Sequence, residues 1–218
     1  MIKGIIFDFD GTLTPLNLDF AYLKEEISNI ARKYTTEEVI RKTDDDYVLE
    51  MIYNIAGMLN NSSETDRFQK EAFKKLRSLE FASAADKDLY PYARDVLNEL
   101  KIKNIKTGII SRNCTDVIRS VFSNMDDYIS VIITRENTRH IKPDPRHALE
   151  ALAIMGVSPG SSMMVGDHPT DVITGIRAGM TTAGVLVGKT LRDDFKKIGT
   201  NFIIEDIRDI LNLRIITG

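Results

Sequence analysis

The chain has 218 residues, with 32 acidic against 29 basic side chains and a formal net charge of -3, so it offers no basic field for holding a nucleic-acid backbone. Cys114 is the single cysteine, which excludes an intrachain disulfide, and no Cys/His set has the spacing of a zinc site. The stretch MIKGIIFDFDGT is too short and too acidic for a secretory leader, and no apolar run is long enough to span a bilayer. A soluble cytoplasmic protein without nucleic-acid or membrane partners is therefore expected, built as one large domain or as a core carrying a smaller inserted one.

The first element is a strand over 2–8, whose run of Ile5, Ile6, Phe7 and then Phe9 suits burial on both faces of a parallel sheet. Asp8 and Asp10 lie two residues apart and so point the same way. Two like charges at the edge of a core raise one pKa or demand a cation. Gly11 also permits an ordinary turn after a strand, and this stretch alone leaves both readings open.

Residues 17–83 read as helical. Leu18, Tyr22 and Ile30 fall near one face of a first helix, Thr36 is placed to cap a second, and Ser63 and Asp66 have capping-box spacing before a third. The acidic run Asp44 to Asp46 reads as a solvated helical segment. From Tyr90 onward short apolar runs alternate with helices. Strands are expected at 105–111, 128–134, 161–167, 181–187 and 201–205, with helices from about Pro91, Thr115, Pro145, Pro169 and Leu191 and a last one over 206–212. This alternation predicts an α/β fold, a doubly wound parallel sheet of Rossmann-like core type. The core is expected over 1–14 and 88–218, with an inserted α-helical cap domain over 15–87. AGVLVGKT at 183–190 approaches a phosphate-loop pattern with Ala183 in place of its first glycine, but Val185 to Val187 read as strand and leave no loop to wrap a phosphate.

Ligands bind such sheets at the carboxyl ends of the strands. Those ends carry Asp8 and Asp10, then Ser111 with Arg112 and Asn113, then Lys142, then Asp167 and Asp171. Singly, each has a plain reading as a helix cap, a first-turn acid or a surface charge. Jointly, the carboxylates ask for a hard cation such as Mg²⁺, while a lysine, a hydroxyl and backbone amides describe a receptor for a phosphoryl group. An acid pair beside both implies phosphoryl chemistry at a carboxylate. His140, His147 and His168 show no partner spacing and read as surface or structural residues.

These stretches resemble, in order and over the whole chain, the motifs of the haloacid dehalogenase superfamily on its phosphatase side: DFDGT, IISRN, KPDP and GDHPTD. The helical insertion stands where that family inserts a cap of the first type. The resemblance implies Asp8 as nucleophile and Asp10 as general acid and then base. It implies Mg²⁺ held by Asp8, Asp167 and the main-chain carbonyl of Asp10, with Asp171 supporting from behind. Ser111, the amide of Arg112 and Lys142 are then assigned to the phosphoryl oxygens. Members that cleave carbon–halogen bonds lack the second acid, so Asp10 argues against that chemistry. Many capped phosphatases continue the first motif with Asp-Ser, where this chain reads LTPLN; phosphoglycolate phosphatases are the nearest group in layout. The expected activity is Mg²⁺-dependent hydrolysis of a small phosphate monoester, a phosphorylated metabolite, through an aspartyl-phosphate. The alternatives are a phosphomutase of the same superfamily and a non-enzymatic phospho-acceptor module.

Overall fold

A computed structural model describes residues 1–217. The chain divides into two compact units, one of residues 1–16 and 86–218, the other of residues 17–85.

The larger unit begins with β1 (Gly4–Phe7) and, after the second unit, continues with α5 (Ala93–Ile102), β2 (Lys106–Ser111), α6 (Thr115–Val121), β3 (Val131–Thr134), α7 (Pro145–Met155), β4 (Ser162–Gly166), α8 (Pro169–Ala178), β5 (Thr181–Val185), α9 (Arg192–Ile198), β6 (Phe202–Ile204) and α10 (Arg214–Thr217). All strand pairings are parallel, in the order β3-β2-β1-β4-β5-β6. Such a sheet must be covered on both faces, which is why β1 is buried at every position. Ile6, Ile110, Ile133 and Met164 form one buried cluster with Ala148, Leu152 and Met155 of α7. The chain leaves β1 toward β2 and β3, then crosses back to β4 on the other side of β1. The reversal lies between β1 and β4, and it opens a crevice at their carboxyl ends.

Helix starts in this unit follow local chemistry. Asp144 accepts from the Arg146 amide ahead of α7, and Pro145 and Pro169 occupy first-turn positions, where no amide donor is missed. The segment expected as a helix over 206–212 is a 3-10 turn over Ile207–Asn212. β5 ends at Val185, and residues 186–190 form a turn rather than more strand. A loop therefore does exist there, but Ala183 is paired with Val165 and Phe202 inside the sheet, so the start of the phosphate-loop pattern is not free to wrap a ligand.

The smaller unit is four helices, α1 (Phe20–Ala31), α2 (Glu37–Arg41), α3 (Val48–Met58) and α4 (Ser62–Ala84). Its core is a stripe on α4, Phe68, Ala72, Leu76, Glu80 and Ala84, spaced by four as one helical face requires. α1 and α3 pack on α4 and on each other. α1 starts at Phe20 and buries Leu23, Ile27 and Ala31, while Tyr22 is exposed. The expected face of Leu18, Tyr22 and Ile30 is thus displaced, because the contact with α4 selects among the apolar positions of α1. Asn61, not Ser63, caps α4, accepting from the Ser63 and Glu64 amides. Thr36 occupies the cap position of α2 without a side-chain bond. Asp44 to Asp46 lie in a turn between α2 and α3, with Asp46 accepting from Asn54. Among the described residues no helix is long and apolar enough to cross a membrane.

Replacing residues 17–85 with a short flexible linker is expected to leave a remainder that melts cooperatively with the mixed helix and strand circular dichroism of an α/β fold. A remainder with no cooperative transition would show one continuous core instead.

Candidate functional site

The site grows from the end of β1. The Asp8 amide donates to the Val165 carbonyl at 2.8 Å, which carries the ladder one residue past Phe7. The chain then folds on itself: the amides of Thr12, Leu13 and Thr14 converge on the Phe9 carbonyl, and that of Gly11 donates to Thr14. Gly11 has φ +88°, and a Cβ there would stand 2.3 Å from Asp167 Oδ2. Both the backbone angle and the carboxylate forbid a side chain.

Behind that turn four charged groups are buried together. One carboxylate oxygen from each of Asp8, Asp167 and Asp171 lies within 4.8 Å of the others. Lys142, 2% exposed, places Nζ 2.6 Å from Asp8 Oδ1 and 2.7 Å from Asp171 Oδ1. Thr12 Oγ1 donates to Asp167 Oδ1 at 3.2 Å. Gly188, in the turn after β5, brings bare backbone so near Asp167 that a Cβ would meet Oδ2 at 2.4 Å.

One ammonium does not balance three buried acids. Burial, opposed by Lys142 and reinforced by Asp171 and Asp167, holds the Asp8 carboxyl well above the usual carboxylate range. Burial and then the Asp171 charge push Asp167 up to about 7. For Lys142, burial acts to lower the pKa, but Asp171 and Asp8 outweigh it and the net shift is upward. An all-oxygen donor set with surplus negative charge in a buried place fits a hard divalent cation such as Mg²⁺.

Asp171 belongs to this acid cluster, and both its oxygens are committed. Oδ1 meets Lys142, and Oδ2 accepts from the His168 amide at 3.0 Å in the capping box that starts α8. Asp10 is separate from the trio. Its Oδ1 lies 2.6 Å from Lys87 Nζ and its Oδ2 accepts from Asn113 Nδ2 at 2.9 Å. Ser111 ends β2, buried, with Oγ accepting from the Asn113 amide. Arg112 follows on the rim, its carbonyl accepting from Arg135 and its charge helping to depress the pKa of His168, which burial lowers first.

Three participants, Thr12, Lys87 and His147, are not singled out by the motifs. Thr12 lies inside DFDGT and could have been seen there. Lys87 and Asn113 meet Asp10 across 77 and 103 residues of sequence, which no local spacing signals. His147 is fully buried. Its Nδ1 accepts from the Lys142 amide at 3.2 Å and its Nε2 faces the Ile133 carbonyl at 3.1 Å, which fixes the neutral tautomer with the proton on Nε2. It thereby ties the residue bearing the buried ammonium to the end of β3. His140 pairs with Asp144 and His168 caps α8.

Burial, followed by the Lys142 charge, lowers His147 to about 4. A base whose folded pKa is depressed contributes its full stability above the unfolded value of about 6.5 and loses it as pH falls toward 4. His147→Gln keeps an acceptor and a donor without titrating. The stability of the natural chain minus that of the variant is expected to fall by up to ~3 kcal/mol between pH 6.5 and 4, at about 1.36 kcal/mol per unit. Urea unfolding at several pH values measures it, and a difference independent of pH would refute the assignment.

A profile of the family described as haloacid dehalogenase-like hydrolase matches residues 5–185. Pyrophosphatase PpaX of Oceanobacillus iheyensis is 26% identical, covering 97% of this chain and 96% of its own. The protein of the same name from Anoxybacillus flavithermus is also 26% identical, over 100% and 99%. Among solved structures, a family IA, variant 3 hydrolase from Entamoeba histolytica superposes with a TM-score of 0.71 at 18% identity, covering both chains completely, which is a likeness of fold.

Proposed function

The chain belongs to the haloacid dehalogenase-like hydrolase family, and from that premise we propose that it hydrolyses a small phosphorylated metabolite through an aspartyl-phosphate on Asp8, with Mg²⁺ as cofactor. The coarser statement, a phosphoric ester hydrolase, rests on the family and on relatives named as pyrophosphatases. The finer one is carried by a single arrangement: Asp8 stands in the buried acid cluster on Lys142, while Asp10, two residues on, lies outside it on Lys87 and Asn113. Two like side chains in unlike surroundings suit two roles.

Asp8, Asp167 and the main-chain carbonyl of Asp10 would hold Mg²⁺, with Asp171 in support. The ion would supply positive charge that lets an anionic nucleophile approach an anionic phosphoryl group. Ser111 Oγ, the Arg112 amide and Lys142 Nζ bind the phosphoryl oxygens. An Asp8 oxygen attacks phosphorus, the bond to the leaving oxygen breaks, and Asp10 delivers the proton that the leaving group takes. Asp10 then removes a proton from the water that attacks the acyl phosphate, so phosphate departs and Asp8 is restored. Residues 17–85 are proposed to act as the cap. A phosphate monoester is the substrate class read from the motifs, and the names of the relatives add inorganic pyrophosphate as a candidate. Cys114 is the single cysteine, so no intrachain disulfide forms, which supports the cytoplasmic location included in this proposal.

Asp8→Asn is expected to abolish turnover of every phosphate substrate. Asp10→Asn is expected to release a burst of nitrophenol from nitrophenyl phosphate and then stall. Its loss on alkyl phosphates should be on the order of 10²–10⁴-fold, the range of positioned acid–base catalysis. Equal losses on both substrates without a burst would place the acid elsewhere. Mg²⁺ should also raise the melting temperature of the natural chain by mass action, and Asp167→Asn should remove that rise. A melting temperature indifferent to Mg²⁺ would sink the metal assignment.

A further inference from the structure

Lys87 is a buried cation that no motif of this site accounts for. Its side chain is 4% exposed and its Nζ lies 2.6 Å from Asp10 Oδ1. Its place is fixed by stitching between two segments of the larger unit: Thr14 Oγ1 donates to the Asp88 carbonyl at 2.7 Å, and the Tyr90 amide donates to the Leu13 carbonyl at 2.9 Å. The other oxygen of Asp10 is held by Asn113, itself anchored by its Oδ1 to the Cys114 amide. Lys87 is thus presented to the carboxylate that the proposed function aims at the leaving group, and it is distinct from Lys142, which is engaged with Asp8 and Asp171.

We propose that Lys87 is a specificity-determining residue, whose ammonium beside Asp10 favours substrates in which the leaving group is itself a phosphate, so that the class preferred is the phosphoanhydride over the alkyl monoester. This rests on the assignment of Asp8 and Asp10 above. When an Asp8 oxygen bonds to phosphorus in an anhydride, the bridging oxygen leaves with the electron pair as inorganic phosphate. That group gathers charge on several oxygens, and a fixed ammonium in a buried place interacts with it strongly. An alcohol leaves as a neutral molecule once protonated and gains little from a cation. Asn113, being neutral, orients Asp10 without making this distinction.

The test is a comparison of Lys87→Gln and Lys87→Arg with the natural chain. Gln keeps a hydrogen-bond donor near Asp10 and removes the charge, while Arg keeps the charge. The kcat/KM for inorganic pyrophosphate divided by that for glycerol phosphate is expected to fall in Lys87→Gln on the order of 10²-fold, the scale of losing one preorganised charge-stabilising donor. Lys87→Arg should recover most of the ratio. Calorimetric titration with imidodiphosphate, a non-hydrolysable anhydride, should show affinity lost in the Gln variant while affinity for inorganic phosphate stays within a few-fold. An unchanged ratio, losses equal on both substrates, or a natural chain that hydrolyses glycerol phosphate but not inorganic pyrophosphate would each overturn the role of Lys87. Failure of the underlying reading looks different: Asp8→Asn would retain turnover, or the natural chain would hydrolyse neither substrate.

Discussion

The Lys142 ammonium, shared at 2.6 and 2.7 Å between Asp8 and Asp171 and almost wholly removed from water, is the constraint on which the rest of the site depends. Breaking a buried pair by deleting one partner typically costs about 3–5 kcal/mol, because the charge left behind has no compensation. The three residues come from three places, the end of β1, the loop before α7 and the first turn of α8. Their meeting fixes how these elements can pack. His147 holds the backbone of Lys142 against the end of β3, and the capping box of α8 holds Asp171. The ion pair is therefore clamped from both sides by hydrogen bonds from backbone amides, that of Lys142 to His147 and that of His168 to Asp171.

The sheet order makes this clamp possible. Because the chain reverses direction across β1, the loops that leave β1 and β4 diverge and open a crevice at the carboxyl ends of those strands. Asp8 and Asp167 stand at those two ends. Gly11 and Gly188 allow main chain from the turns after β1 and β5 to lie directly on the Asp167 carboxylate. The result is a small volume crowded with oxygen, with more negative charge than its one ammonium balances. Burial and crowding together explain why Asp167 is pushed up to about 7. The same excess is what suits the place to a divalent cation.

Asp8 and Asp10 show how a two-residue spacing can yield unlike chemistry. Strand periodicity gives both the same general direction, but the turn that closes on the Phe9 carbonyl moves Asp10 out of the acid cluster and toward the segment 87–90. That segment follows directly on the helical unit, whose own core is the α4 stripe packed by α1 and α3. Asp10 is thereby tied to the chain at the point where the helical unit ends, whereas Asp8 is tied to the sheet.

The sequence by itself determined the fold class, since alternating apolar runs and capped helices leave a parallel, doubly wound sheet as the economical solution, and it named the residue types at the strand ends through motifs that are each local. It also marked the helical insertion by the absence of strand-like runs. Only the tertiary structure decided which apolar positions of α1 are buried, because Leu23, Ile27 and Ala31 are chosen by α4 and not by the periodicity of α1 alone. It decided that the turn after β5 begins at Leu186, which residue type could not show since apolar Leu186 and Val187 continue the strand-like run in sequence. It decided too that Asp171 joins Asp8 on one ammonium, that Asn113 is the partner of Asp10, and that Lys87 and His147 belong to the site. Contacts of Lys87 and Asn113 with Asp10 bridge 77 and 103 residues, and a charge or an amide reads the same in sequence whether it is solvated or buried. Burial and distance set its chemistry, and both are properties of the folded chain.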